Sequence, residues 1–106
     1  MTLQQRRDDR MTEKRKHLAL ALDELSAYAR EHDGKFYLFG SAANGRFAPH
    51  SDVDIIADFG CAQADWTAWL DAESIVYRHG LTMDGRPRTG CSAEFLSIIS
   101  EDWKAL

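Results

Sequence analysis

The chain has 106 residues, 44% of them hydrophobic and 28% charged, an ordinary globular balance with material for one modest core. That length excludes two independent domains, so residues 1–106 are expected to form a single small domain whose site is open, shallow or completed by a partner. The formal charge of −4 divides into a basic start (Arg6, Arg7, Arg10, Lys14, Arg15 and Lys16 against Asp8, Asp9 and Glu13) and an acidic remainder, which excludes the broad basic face of a direct nucleic-acid binder but not a divalent cation.

The mixed charges at the start read as the solvated face of a helix. Leu18, Leu22, Leu25 and Ala29 recur at helical spacing, which predicts a first helix that begins between residues 4 and 12. Asp33-Gly34 ends it, with Gly34 suited to a left-handed position. Lys35–Phe39 is aromatic and apolar without a breaker, a buried strand closed by Gly40-Ser41. Residues 42–51 predict a short helical turn and then a loop marked by Pro49 and Ser51. Asp52–Phe59, β-branched at its centre and bounded by Gly60, predicts a second strand.

From Ala62 to His79 a second long helix is expected, with Trp66, Leu70 and Tyr77 on one apolar stripe and Trp69 and Val76 beside it. Leu81–Asp84 is a short third strand and residues 85–90 a loop, after which Phe95, Ile98, Ile99, Trp103 and Leu106 have helical spacing. This alternation predicts an α+β fold, an α/β sandwich in which helices cover a small mixed sheet.

No apolar run follows the charged start and none nears the roughly 18 residues of a membrane span, so neither a leader nor a membrane partner is expected. Cys61 and Cys91 form no C-x-x-C pair and read as two small buried or half-buried thiols in a reducing, cytoplasmic setting. Trp66, Trp69 and Trp103 are expected in the core rather than on a base-stacking platform. His17, His32, His50 and His79 lack metal-ligand spacing and are taken as surface or structural residues. No G-x-x-x-x-G-K-[ST] run is present, which excludes a P-loop.

Asp52 and Asp54 need an explanation, because acids are depleted in strands and here two sit two apart at the head of an apolar one. Period two puts both on one face, roughly 6 to 7 Å apart, where like charges repel unless a cation such as Mg²⁺ lies between them. The alternative is that Asp52 caps the preceding turn and Asp54 lies on a solvated face. Gly40-Ser41 shifts the balance: a strand that ends in a small Gly and a hydroxyl residue and runs into a helical turn presents N–H donors to a phosphate. The combined pattern, Gly40-Ser41, ten residues, then Asp52-Val53-Asp54, arises by chance about once in a thousand chains of this length.

With these residues the chain resembles the nucleotidyltransferases of the DNA polymerase beta superfamily, and among them the MNT-type minimal nucleotidyltransferases found as antitoxins beside HEPN toxins. The motif G-S-x(10)-D-x-D is complete, and Phe36 to Phe59 reads like the family core. The resemblance implies nucleotidyl transfer from ATP with one or two Mg²⁺ ions. It places Asp52 and Asp54 as catalytic and metal-holding carboxylates and Gly40 and Ser41 at the β- and γ-phosphates, with Arg46 adding a cation near them. A third carboxylate is expected on a later strand, to complete the metal site and take the acceptor's proton. Asp84 is best placed for it, with Glu94 and Asp58 as lesser choices.

The partners implied are a nucleoside triphosphate and a HEPN-type toxin that accepts AMP; a homo-oligomer is open. Two rival readings stand beside this one. One is a non-catalytic antitoxin or binding module of the same fold. The other is a small-molecule, aminoglycoside-type nucleotidyltransferase acting as a dimer, by fold analogy alone.

Overall fold

A computed structural model describes residues 2–106; Met1 and the side chains of Arg7 and Asp8 lie outside the description, and with them that part of the expected basic face. Helix α1 runs Leu3–Glu31, earlier than the periodicity predicts, because Thr2 and Gln5 form a capping box at its start. The Thr2 hydroxyl accepts from Gln5 N at 3.2 Å and the Gln5 side chain accepts from Thr2 N at 2.8 Å. At its other end Asp33, not Gly34, adopts the left-handed conformation, with φ 53°. Gly34 is small for a different reason: a Cβ there would stand 2.1 Å from the Phe59 ring.

Strand β1 (Lys35–Phe39), the one-turn helix α2 (Ser41–Asn44) and strand β2 (Val53–Asp58) follow as expected. β1 and β2 pair antiparallel, from Lys35 opposite Asp58 to Phe39 opposite Asp54. Helix α3 (Ala62–Arg78) then crosses over, and strand β3 (Met83–Pro87) pairs parallel to β2. A 3₁₀ turn (Arg88–Gly90), helix α4 (Ala93–Ile99) and the two-residue strand β4 (Lys104–Ala105) complete a four-stranded mixed sheet of order β3-β2-β1-β4.

Alternation along the strands separates two faces. Phe36 and Leu38 of β1 and Val53, Ile55 and Ala57 of β2 join one core cluster with Ala21, Leu25 and Ala29 of α1 and Ala68, Ala72, Ile75 and Val76 of α3. Each fully buried Phe, Leu, Ile or Val in it contributes about 1.5–3 kcal/mol. The other face carries Tyr37, Phe39, Asp54 and Ile56, and the C-terminal segment lies over part of it. Trp103 stacks on Tyr37 with ring centroids 4.0 Å apart, and Phe95 meets Phe39 edge-on at 6.1 Å.

Four further expectations are corrected. The packed stripe of α3 is Asp65, Ala68, Ala72, Ile75 and Val76, whereas Trp66, Leu70 and Tyr77 are about half exposed, because small residues let the helix approach the sheet closely. The third strand is Met83–Pro87 and not Leu81–Asp84: residues 85–87 extend along β2 as an edge strand, where a proline is tolerated, and a Cβ at Gly85 would stand 2.5 Å from Ile55 O. The last helix stops at Ile99, so Trp103 and Leu106 pack from a returning strand, with Leu106 N donating to Phe36 O at 2.8 Å. Cys61 is also exposed rather than buried, while Cys91 is half-buried; both are free thiols. No helix among the described residues is long and apolar enough to cross a membrane.

Candidate functional site

The strand registers bring distant parts of the sequence into one row. Phe39 lies opposite Asp54 across the antiparallel pair, and Asp54 lies beside Asp84 across the parallel one. Strands about 4.8 Å apart put the two carboxylates on the same face as neighbours. Asp52 precedes the strand by one residue and is exposed, as is Asp84, while Asp54 between them is half-buried. The Asp54 carboxyl is pushed up to about 6, first by its burial and then by the charges of Asp84 and Asp52. Burial leads, and the repulsion expected of acids gathered on one face adds to it.

Gly40 is fitted to this row. It adopts φ 68°, ψ −150° at the head of α2, and a Cβ there would stand 2.2 Å from Asp54 Oδ2, so any other residue meets both backbone strain and the carboxylate. Ser41, half-buried, opens α2, and the N–H groups of Ala43 and Asn44 return to Gly40 O. Arg46 is exposed on the loop that follows, its own N–H held by Ser41 O at 3.0 Å.

The alternatives for the third carboxylate stand elsewhere. Asp58 is two alternate positions beyond Asp54 and pairs with Arg88 at 2.7 Å. Glu94 is exposed in the first turn of α4. His17, His32 and His50 are exposed, and His79 is half-buried against Glu24 at 2.7 Å.

Three neighbours of the row carried no local sequence signal. Thr82 donates its hydroxyl to Asp52 Oδ1, and Val53 N donates to Thr82 O at 2.8 Å, so the residue before β3 holds the head of β2. Arg86, two residues along β3 from Asp84, lies 5.1 Å above the Phe95 ring. Lys14 of α1 reaches the loop before Asp52 and donates to the Pro49 and Ser51 carbonyls. The Thr82 and Lys14 contacts span 30 residues or more, which no spacing rule exposes.

Residues 16–83, more than half of the chain, match the family model described as a nucleotidyltransferase domain, and the chain belongs to that family. Its mixed sheet and flanking helices are the polymerase-beta-like nucleotidyltransferase fold. No curated protein and no solved structure gives a significant match. The matched segment takes in Gly40, Ser41, Asp52 and Asp54 and stops one residue short of Asp84.

The row can be tested for its fit to a divalent cation. Its donors are all carboxylate oxygens, the hard ligands Mg²⁺ prefers, and the charges of Asp84 and Asp52 add to burial in raising Asp54. As the side chains stand, no group of three His, Cys, Asp or Glu among the described residues is gathered so as to hold a metal ion, and Asp52 accepts from Thr82. The chemistry of the set fits an open Mg²⁺ site that keeps water or phosphate ligands.

Proposed function

We propose that this chain transfers a nucleoside monophosphate, AMP from ATP, to an oxygen of a protein acceptor in a Mg²⁺-dependent reaction, and that it serves as the antitoxin of a HEPN-type toxin, its acceptor. The observation that carries the transfer reading is the meeting of Asp54 with Asp84 across paired strands while the Gly40 backbone closes on the Asp54 carboxylate. The protein acceptor is favoured by the openness of the row, whose outer carboxylates Asp52 and Asp84 are exposed.

In the transfer, the acceptor oxygen bonds to the α-phosphorus, the bond from that phosphorus to the bridging oxygen breaks, and pyrophosphate leaves with the electron pair. Asp84, at the open side of the row, receives the acceptor's proton. Gly40 and Ser41 bind the β- and γ-phosphates: the missing side chain lets the backbone come close, and the hydroxyl donates. Arg46 contributes a mobile positive charge near them. Asp52, Asp54 and Asp84 would hold Mg²⁺, which when bound supplies the positive charge that offsets the triphosphate during attack.

A second reading, a non-catalytic binding module of the same fold, draws on the Asp52 carboxylate being engaged by Thr82. One experiment separates the two. Purified protein is incubated with Mg²⁺ and either α- or γ-labelled ATP, together with extract of the producing cell and the neighbouring gene product, wild type beside Asp54→Asn. Label entering a protein band from the α position alone, and lost in the variant, is the expected result. An α-label no stronger than the variant's background, from folded protein, overturns the transfer reading in favour of the binding module.

A further inference from the structure

The loop that delivers Asp52 to the sheet is held from a distance. Between α2 and β2 the chain turns back on itself, with Ser51 N donating to Ala48 O at 3.0 Å and Ala48 N donating to the Ser51 hydroxyl at 2.9 Å. This turn directs the carbonyls of Pro49 and Ser51 to one point, where the Lys14 ammonium donates to both, at 3.1 Å to Ser51 O. The same ammonium lies 4.9 Å from the centroid of the Phe47 ring, which is buried beneath the loop. Lys14 thus touches the loop at three residues, 47, 49 and 51, and the next residue is Asp52.

We propose that Lys14 is a positioning residue for the first carboxylate of the site: by fastening the Pro49 and Ser51 carbonyls to α1 it fixes where Asp52 stands at the head of β2. The inference rests on the reading of Asp52, Asp54 and Asp84 as the cation-holding set. It goes beyond the family match, which begins at residue 16 and leaves Lys14 outside. Of the six basic residues in the first 16, Arg6, Arg10, Arg15 and Lys16 are exposed, whereas Lys14 is half-buried. Its burial lowers the ammonium below the ordinary lysine range, with the Asp52 charge opposing that shift.

Position and charge act with opposite signs on a bound cation, and this makes the proposal testable. If Lys14 were only a nearby positive charge, removing it would tighten divalent binding. If it positions Asp52, removing it loosens binding, by about tenfold as for other groups that orient a metal ligand. The experiment measures Mn²⁺ binding in the presence of ATP by the electron paramagnetic resonance of the free ion. It compares wild type, Lys14→Met, Lys14→Arg and Lys14→Gln with Lys16→Met, which removes the same charge from the exposed face of α1, and with Asp54→Asn. Amide hydrogen exchange over residues 47–53 is followed in parallel.

The expected result is about tenfold weaker Mn²⁺ binding and faster exchange at residues 47–53 in Lys14→Met. Lys14→Arg, which keeps charge and donors, recovers most of the affinity, and Lys16→Met behaves as wild type. Should Lys14→Met fail to fold, Lys14→Gln, with one donor kept, carries the same comparison. Mn²⁺ binding that is unchanged or tighter in the folded variant, while Asp54→Asn abolishes it, overturns the clamp and leaves the site reading standing. Wild-type binding no stronger than that of Asp54→Asn overturns the site reading and the clamp together.

Discussion

Asp54 is the residue under most tension. Its folded carboxyl is raised to about 6 by burial and by Asp84 and Asp52, so the folded protein holds that proton more tightly than the unfolded chain. The stability this lends is present at low pH and is lost as pH rises through about 6. Allowing for solvent screening of a half-exposed group, the loss is about 1 kcal/mol. Asp54→Asn removes it, so in cation-free buffer the variant is expected to gain about 1 kcal/mol over wild type on going from pH 4.5 to pH 7.5, measured by urea unfolding with chelator present. A gap between the two proteins that stays constant with pH, or narrows, contradicts a raised Asp54 carboxyl. At this scale the sequence was readable where chemistry sits in a short pattern: Gly40, Ser41, Asp52 and Asp54 stand in one motif. Asp84 lies outside that motif and is tied to it only through the next strand, and Lys14, in a run of mixed charges, carries no mark of its loop contact.

At the scale of the element, Asp65 holds three pieces together. It is 3% exposed in the first turn of α3; its Oδ1 accepts from Phe59 N at 2.5 Å, and its Oδ2 from Thr89 N at 3.3 Å and the Thr89 hydroxyl at 2.5 Å. The end of β2, the start of α3 and the 3₁₀ turn after β3 are joined by one carboxylate. Asp65→Ala leaves buried donors without a partner and is expected to cost about 3 kcal/mol, with Asp65→Asn costing less; thermal and urea unfolding of both variants checks it. A loss under about 0.5 kcal/mol in Asp65→Ala would mean the three pieces hold without it. The elements themselves were legible where they are long or apolar: α1, β1, β2 and α3 lie within one residue or a few of their expected bounds. β3 was mistaken at its end because Gly85 and Pro87 read as loop, while the parallel pairing with β2 and the contact with Ile55 O, both non-local, make them strand. β4 was hidden because two residues have no periodicity, and Trp103 and Leu106 fell by coincidence on the phase of α4.

For the molecule as a whole, the α/β sandwich was foreseeable from the alternation of elements, but the side of α3 facing the sheet was not. Hydrophobic spacing favours large residues, whereas closeness to a sheet favours Ala68 and Ala72, both essentially buried. Trp66→Ser and Leu70→Ser are therefore expected to change stability by less than about 0.5 kcal/mol each, and Ala72→Leu to destabilise by about 1–3 kcal/mol through overpacking, in equilibrium unfolding. The reverse ranking would place the large residues in the core. The mixed order of the sheet also bears on assembly. The β1–β2 pair closes across residues 40–52, whereas Asp84 reaches Asp54 only after the longer α3 crossover has brought β3 alongside, and non-local parallel pairing is slow. A nascent chain can thus bring Gly40 and Ser41 to Asp54 while Asp84 and the Thr82 hold on Asp52 are still missing, so completion of the row is a clock for the crossover, and a partly folded chain holds no full set of carboxylates.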